Sequence, residues 1–360
     1  MMPMPLTPPA STFADDKTLE TSDPNKLVEH PLVSVLMITY NHGDYLADAI
    51  EGVVHQQCDF PFELIIGEDA STDATLEVAM DYQRRYPDRI RVIHSAHNVG
   101  MNANGARIFE RARGRYVSYC EGDDFWCARD KLARQVSLIE AGEDVGIVHS
   151  DWTKARFRNN KWVYDLAKSV HHRVPIQLLE GNLFPTWHLP KILRTCTVLL
   201  RKETIQAEYD SGLTIGDYPF GDAILSAFVT SRWKVAYVPE VTAIYRVSPN
   251  SALRSGPARR VTFYQGALRF DTAARRYFAN NDALYGGGYR WDAAAGLLVW
   301  GLRARDFGAM KSALQDFRKH FTLWQFLAVG CKTILLRVPT LRRQRPKPSV
   351  KPSSASGHDQ

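Results

Sequence analysis

Apolar and polar positions alternate along this chain in two different periods. Residues 33–39, Val-Ser-Val-Leu-Met-Ile-Thr, form a β-rich apolar run typical of a strand covered on both faces. Tyr45, Leu46, Ala49, Ile50, Val53 and Val54 then fall on one helical face. The pattern predicts strands at 62–66, 90–94, 116–120 and 146–149. It predicts helices at 74–86, 101–113 and 131–141, the second ended by Gly114. Strands separated by helices of this length imply βαβ units and a mostly parallel sheet.

The middle of the chain, 151–200, is less regular. One strand is expected at 194–200, and two more at 233–238 and 241–247. From about residue 259 the pattern is helical. No internal repeat is present. Residues 1–30 are rich in Pro, Thr, Ser and Asp without periodicity, which predicts a flexible leader. The domain reading is a leader over 1–30, an α/β domain over 31–255, a helical extension over 256–340, and a disordered basic tail over 341–360.

Composition changes this picture little. At 45% hydrophobic and 23% charged, the chain has ordinary globular composition. Its net charge is +6, and Arg337, Arg342, Arg343, Arg345, Lys347 and Lys351 supply much of the basic excess. The domain itself is then near neutral, and no nucleic-acid partner is expected. Five cysteines without CxxC spacing indicate neither a disulfide framework nor a zinc site. They suit a reducing cytosol, and the N-terminus lacks the features of a secretion signal.

In parallel α/β sheets, ligands bind outside the carboxyl ends of the strands. The first strand ends in Thr39, Tyr40 and Asn41. The second ends in Glu68, Asp69, Ala70, Ser71, Thr72 and Asp73. The fourth ends in Glu121, Gly122, Asp123 and Asp124. Three polar clusters therefore converge on one edge. Taken singly, Asp69 to Asp73 could be a helix cap, and Asp123 with Asp124 a turn. Together, adjacent carboxylates at a strand end call for a neutralising cation. Mg²⁺ or Mn²⁺ binds through one or two carboxylates and substrate phosphates, so these aspartates suit a metal diphosphate.

These residues resemble the family-2 glycosyltransferases of GT-A fold. Residues 35–41 look like that family's first strand and nucleotide loop, and 68–73 like its acidic motif. Asn98, Val99, Gly100 and Asn104 resemble the loop before its third helix. Glu121 to Asp124, followed by Trp126, resemble its metal motif, and Lys131 to Gln135 the next helix. The resemblance covers roughly 32–250.

The resemblance implies roles. Thr39, Tyr40, Asn41, Asp69, Ser71 and Asp123 would bind the nucleotide sugar. Tyr40 would stack on the base, Asp69 accept the base N–H, and Asp123 lie near the ribose. Asp124, with Asp123, would hold the divalent metal. The family usually has Asp where this chain has Glu121. A catalytic base is expected at Asp217, in Gly216-Asp217 before a helix, with Asp222 as rival; helix capping is the bland alternative for both. Relatives often carry His near Ser248, a poor ligand here, so Arg246 or Arg254 could serve the diphosphate or lie on the surface. His171 and His172 read as loop residues, and Trp187 and His188 as an acceptor groove or plain packing.

The expected function is inverting transfer of a sugar from a nucleotide diphosphate onto an acceptor hydroxyl. The acceptor would be a glycan or a lipid-linked glycan in surface polysaccharide assembly. A fold that has lost turnover and serves as a scaffold is the alternative. Apolar residues over 321–338, followed by the basic tail, suggest a helix that packs on the core or lies on the membrane surface. The expected location is the cytoplasm, peripheral to the inner face of the membrane.

Overall fold

The computed structural model describes residues 18–158, 161–189, 192–213, 218–247, 256–279 and 288–322. Its centre is a mixed, mostly parallel sheet flanked by helices. In chain order the strands are β1 (Leu19–Thr21), β2 (Val33–Thr39), β3 (Phe62–Glu68), β4 (Ile90–His94), β5 (Tyr116–Tyr119) and β6 (Phe125–Trp126). After these come β7 (Val145–Arg158), β8 (Lys161–Val163), β9 (Leu199–Arg201) and β10 (Lys234–Val247). They lie in the spatial order β1-β4-β3-β2-β5-β9-β7-β10-β6, with β8 on β7. β2 pairs in parallel with both β3 and β5, and β10 with β7. β1, β6, β8 and β9 run antiparallel to their neighbours.

Helices α1 (Leu46–Val54), α2 (Thr75–Arg85), α3 (Met101–Glu110) and α4 (Lys131–Glu140) supply the crossovers of the first half. The apolar run of β2 is explained by its two covered faces. Val33, Val35 and Met37 pack with Leu46, Ile50 and Val53 of α1. Leu36 packs on the other side with Ile65, Ile93 and Ile108. Helices α5 (Lys202–Asp210) and α6 (Asp222–Thr230) also line that second face.

Helices α7 (Pro257–Tyr277), α8 (Gly288–Ala304) and α9 (Phe307–His320) form the helical extension. Arg290 of α8 pairs with Asp271 of α7 at 3.0 Å and with Asp316 of α9. One guanidinium thus joins all three helices, an arrangement its several donors permit.

Several sequence expectations change. Leu19–Thr21, inside the expected flexible leader, is a strand that pairs with β4 through Leu19 to His94 and Thr21 to Val92. The strand expected at 194–200 is shorter and antiparallel, because residues 195–197 form a 3₁₀ turn before it. The two strands expected at 233–238 and 241–247 are one strand with register shifts. Residues 341–360, and the expected apolar segment beyond residue 322, lie outside the described residues. Among the described residues no helix is long and apolar enough to cross a membrane.

Candidate functional site at the carboxyl edge

β2 and β3 end side by side, and both chains turn there through left-handed backbone. Asn41 and Ala70 each have φ of 56°. Asn tolerates this conformation, whereas Ala is strained in it. The two loops are then stitched together. The Asn41 N–H donates to Ser71 Oγ at 2.9 Å, and the Thr72 N–H donates to Asn41 Oδ1 at 2.8 Å. The His42 N–H donates to Thr75 Oγ1 at 2.8 Å, and the Gly43 N–H to Asp73 Oδ2 at 3.0 Å. The Asn41 side chain is therefore spent on Thr72, and the Ser71 hydroxyl on the Asn41 backbone. Tyr40 stays 44% exposed, so its ring is open to a stacking partner.

Asp69 is buried and faces a third loop. Its Oδ1 accepts the Val99 N–H at 2.8 Å and its Oδ2 accepts the Gly100 N–H at 3.0 Å. Gly100 precedes α3 with φ of 87°, where a side chain would be strained. The carboxylate thus sits at a helix N-terminus, where negative charge is favoured. Each oxygen still has a lone pair for a further donor.

The loop after β5 continues beside β2, with the Gly122 N–H donating to the Ile38 carbonyl at 3.0 Å. A Cβ at Gly122 would lie 2.6 Å from Thr39 Oγ1 and 3.0 Å from His42 Nδ1. Only glycine lets the acidic loop come this close to the first strand end. Asp123 is half-buried at the rim, and Asp124 is buried beneath it. Asp124 Oδ1 accepts the backbone N–H of Arg246 at 2.9 Å.

Ligand atoms of Glu121, Asp124 and Cys196 lie within 4.8 Å of one another. Burial, with the charge of nearby Asp123 adding to it, pushes the Glu121 carboxyl up to about 7. Burial, followed by Asp123 and Glu121, holds Asp124 well above the usual carboxylate range. Glu121 Oε2, Thr39 Oγ1 and His42 Nδ1 are buried without a hydrogen-bond partner. Crowded carboxylates and an orphaned carboxylate oxygen fit a hard divalent cation. Glu121 and Asp124, with Asp123 at the rim, are the oxygen donors that would hold it.

Arg246 is not a surface residue. It is 2% exposed and ion-paired to Asp48, and its Nη1 donates to the Asp123 carbonyl at 3.3 Å. Its guanidinium lies 4.4 Å from the Phe125 ring centroid. Beneath the same loop, the Lys131 amine is fully buried. It donates to Gln135 Oε1 at 2.5 Å and Ser118 Oγ at 3.3 Å, and sits 4.1 Å from the Trp126 ring centroid.

Asp217, Ser248 and Arg254 lie outside the described residues. One residue after Asp217, the Tyr218 carbonyl accepts from Asn102 Nδ2 of α3 at 3.1 Å. Tyr218 therefore lies against the first turn of α3, close to the loop that Asp69 holds. Asp222 opens α6, is exposed, and accepts the Ala223 N–H at 2.8 Å.

Trp187 is 6% exposed and packs on Phe270 and Tyr289, so it belongs to the core rather than to a groove. His171 is likewise buried, with its ring 5.6 Å from those of His149 and Tyr237. Sequence reasoning missed His42 and the anchoring of Arg246, and it placed Asp73 in the second strand-end cluster without giving it a role. His42 directly follows the first strand-end motif and could have been found by extending it. The pairing of Asp48 with Arg246 has no local signal.

The sequence model of glycosyl transferase family 2 matches residues 34–204. An uncharacterized protein of Mycobacterium tuberculosis is 29% identical over 245 residues, covering 65% of this chain and 64% of that protein. The match thus spans less than two thirds of that relative's length. TuaG of Bacillus subtilis, provisionally named as a teichuronic acid biosynthesis glycosyltransferase, is 37% identical over 30% of this chain and 42% of its own. Among solved structures, the mannosyltransferase PcManGT of Pyrobaculum calidifontis, in complex with GDP-Man and Mn²⁺, superposes with a TM-score of 0.52 at 18% identity. That superposition covers 87% of this chain and 83% of the other.

Proposed function

We propose that this chain, whose residues 34–204 match the sequence model of glycosyl transferase family 2, is an inverting glycosyltransferase using a nucleotide-diphosphate sugar. The observation that carries the proposal is the meeting of three polar strand ends around Gly122, where Thr39, His42 and Glu121 leave buried polar atoms unpartnered.

In this reading the nucleotide lies across the stitched loops. The exposed Tyr40 ring stacks on the base, and Asp69 takes the base N–H on a remaining lone pair. Thr39, Asn41 and Ser71 shape the floor, and Asp123 reaches the ribose from the rim. Asp123 and Asp124 hold Mg²⁺ or Mn²⁺, with Glu121 beside them. When bound, the cation offsets the charge that builds on the departing nucleotide diphosphate. The complex of PcManGT with GDP-Man and Mn²⁺ supports a nucleotide sugar and a divalent metal together.

The chemical step is one displacement. The acceptor hydroxyl oxygen bonds to the anomeric carbon as the bond to the diphosphate oxygen breaks. The hydroxyl proton passes to a carboxylate, which we assign to Asp217. Attack opposite the leaving group inverts the anomeric centre. A surface glycan or lipid-linked glycan is the acceptor, a reading supported by the name of TuaG. The protein works at the inner face of the membrane.

Release of nucleotide diphosphate from a panel of UDP-, GDP- and dTDP-sugars, with and without Mn²⁺, tests the proposal. Release from one donor with added metal is the expected result. No release from any donor, together with no nucleotide binding, would overturn it.

A further inference from the structure

β7 overruns the sheet. Through β9, the level of Ser118 in β5 corresponds to Val148 in β7. From His149, level with Tyr119, β7 continues to Arg158, which is about 30 Å of strand. Its end pairs with β8 as a hairpin that stands on the carboxyl edge. Phe157 is 51% exposed, Val163 43%, Tyr164 45% and Leu166 50%, on or just after this hairpin. Large apolar side chains this exposed and this close together mark an interaction surface.

The patch is continuous with the acidic loop. The Trp162 ring lies 5.4 Å from Phe157 and 5.8 Å from Tyr45, and Tyr164 lies 5.8 Å from Phe125. Arg246, which binds the Asp123 carbonyl, lies within 5.8 Å of the Tyr45, Phe125 and Trp162 ring centroids. The patch is also strongly basic. Between Thr153 and Arg173 there are six Lys or Arg residues and one acid, Asp165, in a chain whose net charge is +6. Asp165 pairs with Lys168. Arg156, Arg158 and Lys161 are exposed and have no carboxylate partner among the described residues.

We propose that this hairpin is a docking surface for an anionic lipid bilayer, and that it presents the acidic loop to an acceptor held in that bilayer. Aromatic and aliphatic side chains ringed by cations are the chemistry of the bilayer interface. The exposed Val163 and Leu166 favour lipid over a soluble sugar, whose recognition needs ring faces and hydrogen bonds rather than aliphatic side chains. The placement beside Asp123 rests on the glycosyltransferase reading; the docking itself does not.

Co-sedimentation of the full chain with phosphatidylglycerol–phosphatidylcholine vesicles tests the proposal, with pure phosphatidylcholine vesicles as control. The chain should bind the anionic vesicles and lose binding at high salt. Each basic residue near an anionic surface is worth about fivefold in partition. Joint replacement Arg156→Gln, Arg158→Gln and Lys161→Gln should therefore lower binding by about a hundredfold. Phe157→Ser with Leu166→Ser should weaken binding while leaving the salt dependence. Nucleotide diphosphate release in vesicle-free buffer should be unchanged in both variants. That second readout separates failure of docking from failure of the glycosyltransferase reading. Equal binding to both vesicle types overturns the proposal. So does unchanged binding by the triple variant, which would move docking to residues 323–338. A dimer of the wild type that Phe157→Ser dissolves, without vesicle binding, would assign the patch to a second copy and also overturn it.

Discussion

The backbone N–H of Arg246 donates to Oδ1 of Asp124 at 2.9 Å across 122 residues of sequence. The end of β10 thereby fixes the orientation of a carboxylate in the loop after β5. The side chain of Arg246 adds to the hold through the Asp123 carbonyl and Asp48.

Arg246→Lys keeps the backbone contact and the charge but loses the forked reach to both partners. Groups that orient metal ligands typically change metal affinity by about 10–100-fold. The Mn²⁺ concentration for half-maximal nucleotide release should rise by about that factor. An unchanged metal titration would reduce Arg246 to a packing residue.

Chelator should abolish turnover, and Mn²⁺ or Mg²⁺ should restore it. Asp124→Asn should keep the shape of the buried loop and still accept from the Arg246 N–H. Metal-supported release should nevertheless fall sharply, because a carboxylate is lost. Full activity of Asp124→Asn in chelator would leave the acidic loop without a metal role.

Asp217→Asn should slow transfer by about 10²–10⁴-fold, the usual contribution of a general base, with donor affinity nearly unchanged. Asp222→Asn should do less. Measuring transfer rate and donor binding for both variants decides between them. If Asp222→Asn is the inactive one, the base is the residue that opens α6.

Gly122→Ala places a methyl 2.6 Å from Thr39 Oγ1, closer than real contacts allow. The acidic loop must then move away from the first strand end. Donor binding should weaken markedly, while the thermal midpoint falls by only a few degrees. Unchanged donor affinity would remove Gly122 and Thr39 from the nucleotide floor.

Burial lowers the Lys131 amine to about 7 from its ordinary 10.5. Between these values the unfolded chain holds a proton that the folded chain has released. The contribution of Lys131 to stability therefore rises with pH above about 7 and is smallest below it. The Trp126 face and the two oxygen partners oppose this by favouring the ammonium. Thermal unfolding of wild type and Lys131→Met at neutral and alkaline pH measures the balance. The gap between them should change in favour of wild type as pH rises; parallel curves would mean that the amine stays charged.

The first half of the fold was legible because its signals are local. The run 33–39 and the face of Leu46, Ile50 and Val53 need no distant partner to be recognised. The antiparallel strands were not. Leu19–Thr21 is only three residues long and exists through its pairing with β4, and Phe125–Trp126 through its pairing with β10. The convergence of Thr39, Asp69 and Asp123 could be read from strand order alone. That Asn41 and Ser71 bind each other, and that Asp69 holds the Asn98–Gly100 loop, could not, since each is a question of which atom faces which. The basic hairpin was hidden for another reason: its charges alternate with apolar residues and were outweighed by the run of cations in the tail.

The stitching of the loop after β2 to the loop after β3 has a consequence for binding. Four backbone amides of one loop or the other are committed to side chains across the seam before any nucleotide arrives. The conformational entropy of these turns is lost when the chain folds, so it is not lost again on binding. A half-site of this kind acts as a rigid jig. It selects by fit, and whatever movement accompanies turnover falls to the parts of the molecule that are not riveted to it.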